Sequence, residues 1–161
     1  MVVRAYDEVV HELVTASRAF VGIAIRSIEA SPVEVTVSQH RLLVLLAAHG
    51  PQSVGDIAEL LGVNPSNASR HCDRLERLGL VARARSSDDG RVVQIELTGD
   101  GRRVLDAVTE QRRADLRQVL YRMALPDVSA VAAALRAFNV AAGEIDDDHW
   151  VDRTPTDADP S

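Results

Sequence analysis

Three arginines, Arg70, Arg74 and Arg77, recur at spacings of four and three residues behind the opening Asn64-Pro65-Ser66-Asn67. At about 100° per residue, a helix gathers them on one side with Ser66 and Asp73, and leaves Asn67 at the edge. Ala68, Cys72 and Leu75 fall on the opposite side, flanked by His71 and Leu78. A guanidinium is shaped to pair with guanine O6 and N7 in a major groove, and a carboxamide to pair with adenine. The chemistry this face offers is recognition of a polyanion. Arg70 and Asn67, near the helix start, are placed for base edges, Ser66 for a base or a phosphate, and Arg74 and Arg77 for phosphates. Ser69 belongs to the same candidate set. Alone, the pattern also fits a solvated face on which Asp73 and Glu76 offset the arginines.

A second feature shifts that balance. After Gly79, two short runs, 80–85 and 92–97, flank the turn Ser86-Ser87-Asp88-Asp89-Gly90-Arg91. Alternating apolar and polar residues around Ser, Asp and Gly predict a hairpin. Gly90 allows the bend. Arg91 at its tip can enter a minor groove, where narrow A·T tracts concentrate negative potential. Asp89 can brace it with a charge-assisted hydrogen bond. Ser53 and Arg83 complete the candidate contacts on the flanks. A hairpin alone is weak evidence, but directly behind a helix-turn-helix it is strong.

The elements that must position these groups follow from caps and periodicity. Residues 5–30 read as a long helix with Val10, Leu13, Val14, Ser17, Phe20, Val21, Ala24 and Ile28 at helical spacing. Val9, Ile23 and Ile25 widen the stripe, which implies more than one neighbour. Thr36-x-x-Gln39 has capping-box form and opens a second helix through Leu42, Leu43, Leu45 and Leu46 to Gly50-Pro51. Ser53 with Asp56 opens a third, with Ile57, Ala58, Leu60 and Leu61 as its inner side. Gly62-Val63 turns into the fourth, capped by Asn64 and started by Pro65. Thr98 caps a fifth helix to about residue 123, whose middle, 111–113, reads as solvated. Pro126 opens an alanine-rich sixth.

The 161 residues are 46% hydrophobic but only 3% aromatic, so the core must be aliphatic, which favours packed helices. The net charge of −6 is local. From Glu144 onward there are seven acids and one base, so residues 1–143 are neutral overall, while 64–91 hold six arginines against four acids. Local field decides where a polyanion docks. The acidic segment 144–161 reads as a disordered tail that is either simply solvated or a weak competitor for the arginines. Within it, Trp150 either docks on the body or hangs free. One cysteine, no signal peptide and no apolar run near membrane-spanning length lead us to expect a cytoplasmic protein without membrane contact. There is no phosphate loop, nucleophile elbow, carboxylate pair or metal-ligand spacing among His11, His40, His49, His71 and His149. We therefore expect no enzyme, no catalytic residue, no metal and no cofactor. His40 and His49 are read as capping or flanking helix two, and Cys72, on the inward line, as packing.

These motifs together resemble the multiple-antibiotic-resistance regulator (MarR) family. Thr36-x-x-Gln39, Asp56-Ile57-Ala58 with Leu61-Gly62, and Asn64 through Arg70 follow its pattern. So do Asp73-Arg74-Leu75-Glu76, Gly79-Leu80-Val81, Asp89-x-Arg91 and Leu97-Thr98-x-x-Gly101. The resemblance implies a mainly α fold with a small β-hairpin wing, a winged helix-turn-helix, in an interleaved helical homodimer. It assigns 1–143 to one domain, with 36–103 as the winged helix-turn-helix and 5–30 and 104–143 as dimerisation helices. It implies a sequence-specific transcriptional regulator, usually a repressor, whose partners are double-stranded DNA with a pseudo-palindromic operator and a second copy of itself, with release by a small phenolic-type inducer, an oxidant or a metal. The inducer cleft would be lined by helices one, two and five. The family's peroxide sensors carry their cysteine in the first helix, and this first helix has none. A winged-helix dimer that binds another protein is the competing class, and Arg70 and Arg91 argue against it.

Overall fold

The computed structural model describes residues 2–85, 92–145 and 150, with side chains from residue 6 onward. The order is α1 (Val2–Glu29), α2 (Val37–His49), α3 (Val54–Leu61), α4 (Pro65–Arg77), β1 (Val81–Arg85), β2 (Val93–Leu97), α5 (Gly99–Leu120) and α6 (Leu125–Ala142). The fold is mainly helical with a two-stranded antiparallel wing, a winged helix-turn-helix.

Local chemistry sets most boundaries. Thr36 accepts from the Gln39 backbone N–H while the Gln39 side chain accepts from Thr36 N–H, and Ser53 and Asp56 repeat the arrangement. Asn64 caps α4 and Thr98 caps α5. Gly79, at φ 73°, ends α4 in a left-handed turn, and Leu80 N–H returns to Leu75 O at 3.0 Å. That conformation strains any side chain, so glycine is suited to it.

The core is centred on α2, which is buried almost all round and packs against α3, α4, α5 and β2. Leu42, Leu43, Ile57, Leu75, Leu80, Ile95 and Leu105 are fully buried. Leu60, expected on the inner side of α3, is instead 42% exposed, because an eight-residue helix turns only Ile57 and Ala58 fully inward. Gln52 pairs with Ile95 through N–H···O bonds of 3.0 and 2.7 Å, which ties the start of α3 to the wing. Nothing in the sequence announces this bridge. Gly101 lies where α5 crosses the hairpin base, and a Cβ there would stand 2.1 Å from Leu80 O.

Outside this lobe the pattern changes. Ile23, Ser27 and Ile28 of α1 are buried, but Val9, Val10, Val14, Phe20 and Val21 are exposed. No residue of α6 is buried. By length and mean composition alone α6 could cross a membrane, although Asp127, Ser129, Arg136 and Asn139 interrupt its apolar residues. Trp150 docks on the body. It packs against the core cluster, and its carbonyl accepts from Arg102 Nη1 at 2.9 Å. A two-bonded pair between Arg41 and Glu144, at 2.8 and 3.1 Å, holds the chain just after α6. Residues 146–149 and 151–161 of the expected disordered tail lie outside the described residues.

Candidate nucleic-acid interface

Helix α4 is fixed by its inner line. Ala68, Cys72 and Leu75 have no solvent exposure. The small Ala68 lies on this buried line, and α3 packs against α4. The buried line leaves Ser66, Arg70, Arg74 and Arg77 exposed on the outside, with Asn67 and Ser69 half-buried at the edges.

The outer groups are partly pre-arranged. Asn64 Oδ1 accepts from Asn67 N–H at 2.9 Å and from the Ser66 hydroxyl at 2.8 Å, so Ser66 leans back on the cap. Arg70 Nη2 donates to Asn67 Oδ1, which places the two base-edge candidates side by side. Arg77 Nε reaches Asp73 O at 3.3 Å. Arg74 has no ion-pair partner among the described residues. Ser53 is half-buried, and its hydroxyl serves the α3 cap, donating to Asp56 Oδ2 at 2.6 Å. The wing candidates Asp89 and Arg91, with the whole turn 86–91, lie outside the described residues.

Arg83, a candidate contact on the flank, also reaches α4. The register pairs Val81 with Leu97, Arg83 with Ile95 and Arg85 with Val93. Directly opposed residues share a face of the hairpin. Arg83 therefore shares its face with the fully buried Ile95. Its guanidinium meets α4, with Nη2 2.5 Å from Asp73 Oδ1 and Nε 3.6 Å from Glu76 Oε2. Sequence reading missed this pairing, and the signal available was the period-two register that sets Arg83 beside Val81. Thr98 locks the same corner. Its hydroxyl donates to Gly79 O at 2.7 Å and accepts from Gly101 N–H at 3.1 Å, while its own N–H reaches Leu80 O at 3.1 Å. These bonds join the turn after α4, the base of the hairpin and the start of α5 at one corner.

A second polar cluster joins α1, α2 and α5. Ser27 is fully buried, and its hydroxyl donates to Ala24 O at 2.8 Å and accepts from Arg112 Nε at 3.2 Å. Arg112 is therefore turned partly inward, not solvated as the polar run 111–113 suggests. His40 is buried rather than flanking its helix, and its Nε2 has no hydrogen-bond partner. Burial first, then the charges of Arg112 and Arg41, push its pKa down to about 4, so the imidazole is neutral at neutral pH. Burial likewise pushes the Cys72 thiol up to about 11, which keeps it protonated and inert and accords with a packing role. The described residues include no cluster of His, Cys, Asp and Glu able to hold a metal.

Comparison with known proteins places this geometry. The model of the MarR family matches residues 34–92. The uncharacterized HTH-type transcriptional regulator YfiV of Bacillus subtilis is 32% identical over 102 residues, 63% of this chain and 64% of its own length. The HTH-type transcriptional repressor MdtR of the same organism is 36% identical over 86 residues, 53% of this chain and 56% of its own length. The chain thus spans about three-fifths of these curated relatives. The crystal structure of RV1404 from Mycobacterium tuberculosis superposes with a TM-score of 0.81 at 38% identity, covering 88% of this chain and 96% of the other.

Proposed function

The chain belongs to the MarR family of helix-turn-helix transcriptional regulators, and from that premise we propose that it is a dimeric repressor that binds a pseudo-palindromic operator and is released by a small ligand or another signal. One observation carries the reading. A fully buried line, Ala68, Cys72 and Leu75, turns Ser66, Arg70, Arg74 and Arg77 outward on a helix that the Arg83–Asp73 pair ties to strand β1. Such a helix suits a major groove, and the wing beside it suits the neighbouring minor groove, for which the sequence offers Asp89 and Arg91. We assign Arg70 and Asn67 to base edges, and Ser66, Ser69, Arg74, Arg77 and Ser53 to supporting or phosphate contacts.

We take residues 1–143 as one domain acting in the cytoplasm. The apolar residues left exposed on α1, together with α6, supply the surface for a second copy, and an isologous pair places the two reading helices about one DNA turn apart. The repressor assignment leans on MdtR, which carries that name. A phenolic-type inducer between the dimer helices and the reading lobe completes this reading.

The test is titration of wild type and Arg70→Ala against a duplex that the protein selects from a randomised pool. Wild-type affinity should fall with salt at a log–log slope of about −0.9 per neutralised phosphate. Arg70→Ala should cost about 1–3 kcal/mol and relax preference at one base pair. A flat salt dependence would sink the reading in favour of a protein partner.

A further inference from the structure

Asp73 and Glu76 pose a problem for any duplex docked on α4. Asp73 shares the outer side with Arg70, Arg74 and Arg77, and both carboxylates retain exposure, at 48% and 40% of their side chains. Left bare, they would oppose the phosphates that the arginines attract. Arg83 meets both at once. A planar guanidinium can present Nη2 to one carboxylate and Nε to another, which a lysine ammonium cannot do with the same rigidity. Its stem rises from the hairpin face it shares with Ile95, so its reach is toward α4.

We propose that Arg83 is a positioning residue: it neutralises Asp73 and Glu76 on the reading helix and fixes the wing strand to that helix, without touching the duplex itself. The inference rests on the duplex-binding reading above. It implies that the wing's angle is set by an ion-pair fork between α4 and β1 as well as by the Thr98 corner.

The experiment measures binding to the same selected duplex across a salt series for wild type, Arg83→Gln, the Asp73→Asn/Glu76→Gln double variant, and all three changes combined. Arg83→Gln should weaken binding by about tenfold with the salt slope unchanged, since no phosphate contact is lost. In the double-variant background the same change should cost less than about twofold, because no carboxylates remain to be masked. A slope reduced by about 0.9, with the full loss persisting in that background, makes Arg83 a phosphate contact and overturns the proposal. Thermal unfolding of Arg83→Gln, Asp73→Asn and their combination needs no DNA. Less-than-additive shifts support the fork and strictly additive shifts overturn it. If wild type binds no duplex while the thermal cycle shows coupling, the duplex reading has failed and the fork has not.

Discussion

The reading lobe and the terminal helices treat the same kinds of residue in opposite ways. In the lobe, Leu42, Leu43, Ile57, Leu75, Leu80 and Ile95 are all removed from water within one chain. Along α1, Val10, Val14 and Val21 each keep more than half their surface exposed, and on α6 Val140 is 82% exposed. An amphipathic pattern says that a surface must be covered, but not by which molecule. The lobe carries its own core. The terminal helices carry half of one, so their stability should depend on protein concentration while the lobe's should not.

The largest effect should come from denying the terminal helices their partner. Phe138 on α6 is half exposed in the single chain. Phe138→Glu places a carboxylate where we propose a second copy packs, at a cost of about 4 kcal/mol to association. Sedimentation equilibrium should show monomers at concentrations where wild type is dimeric. Amide exchange should accelerate in α1 and α6 and stay slow in α2 and α4. A wild-type chain that is monomeric with protected α1 and α6 amides would contradict the division of labour between the two regions.

A smaller loss, confined to the lobe, should follow Gly101→Ala. The added carbon would sit 2.1 Å from Leu80 O and 2.7 Å from Leu97 Cδ1. A backbone oxygen cannot rotate away as a side chain can, so α5 must lift from the hairpin base. The expected cost is about 3 kcal/mol in thermal or urea unfolding, at the upper end for overpacking. Exchange should quicken first at Thr98 and Leu80, whose bonds hold that corner. An unchanged midpoint would mean that the crossing is looser than its geometry indicates.

What was legible in the sequence was what neighbours in sequence decide. Thr36 with Gln39, Ser53 with Asp56, Asn64 and Thr98 all mark helix starts because a cap is satisfied within three residues. The inner line Ala68, Cys72 and Leu75 follows from a period that one helix sets for itself. What was not legible depends on register or distance along the chain. Arg83 reads only as a candidate flank contact until pairing with Ile95 fixes which face it occupies. Arg112 reads as solvated until α1 brings the Ser27 hydroxyl to it across 85 positions. Trp150 has no periodic context, and only the folded body supplies the surface on which it rests.

The smallest expected effect tests the seam between the two regions, where α1, α2 and α5 meet around His40. Its pKa is lowered from 6.5 to about 4 by folding. Between those values the unfolded chain binds a proton that the folded chain refuses, so stability falls as pH drops through the window. Well above pH 6.5 the residue adds no pH dependence. The loss should reach about 2 kcal/mol by about pH 5, read from urea midpoints at fixed protein concentration. His40→Gln, which cannot take up the proton, should flatten that part of the profile. Other groups facing the imidazole, Arg112 and Arg41, stay charged throughout and cannot supply the slope themselves. If His40→Gln keeps the full slope, the acid sensitivity belongs to carboxylates elsewhere, and the seam is not where lobe and terminal helices respond to pH.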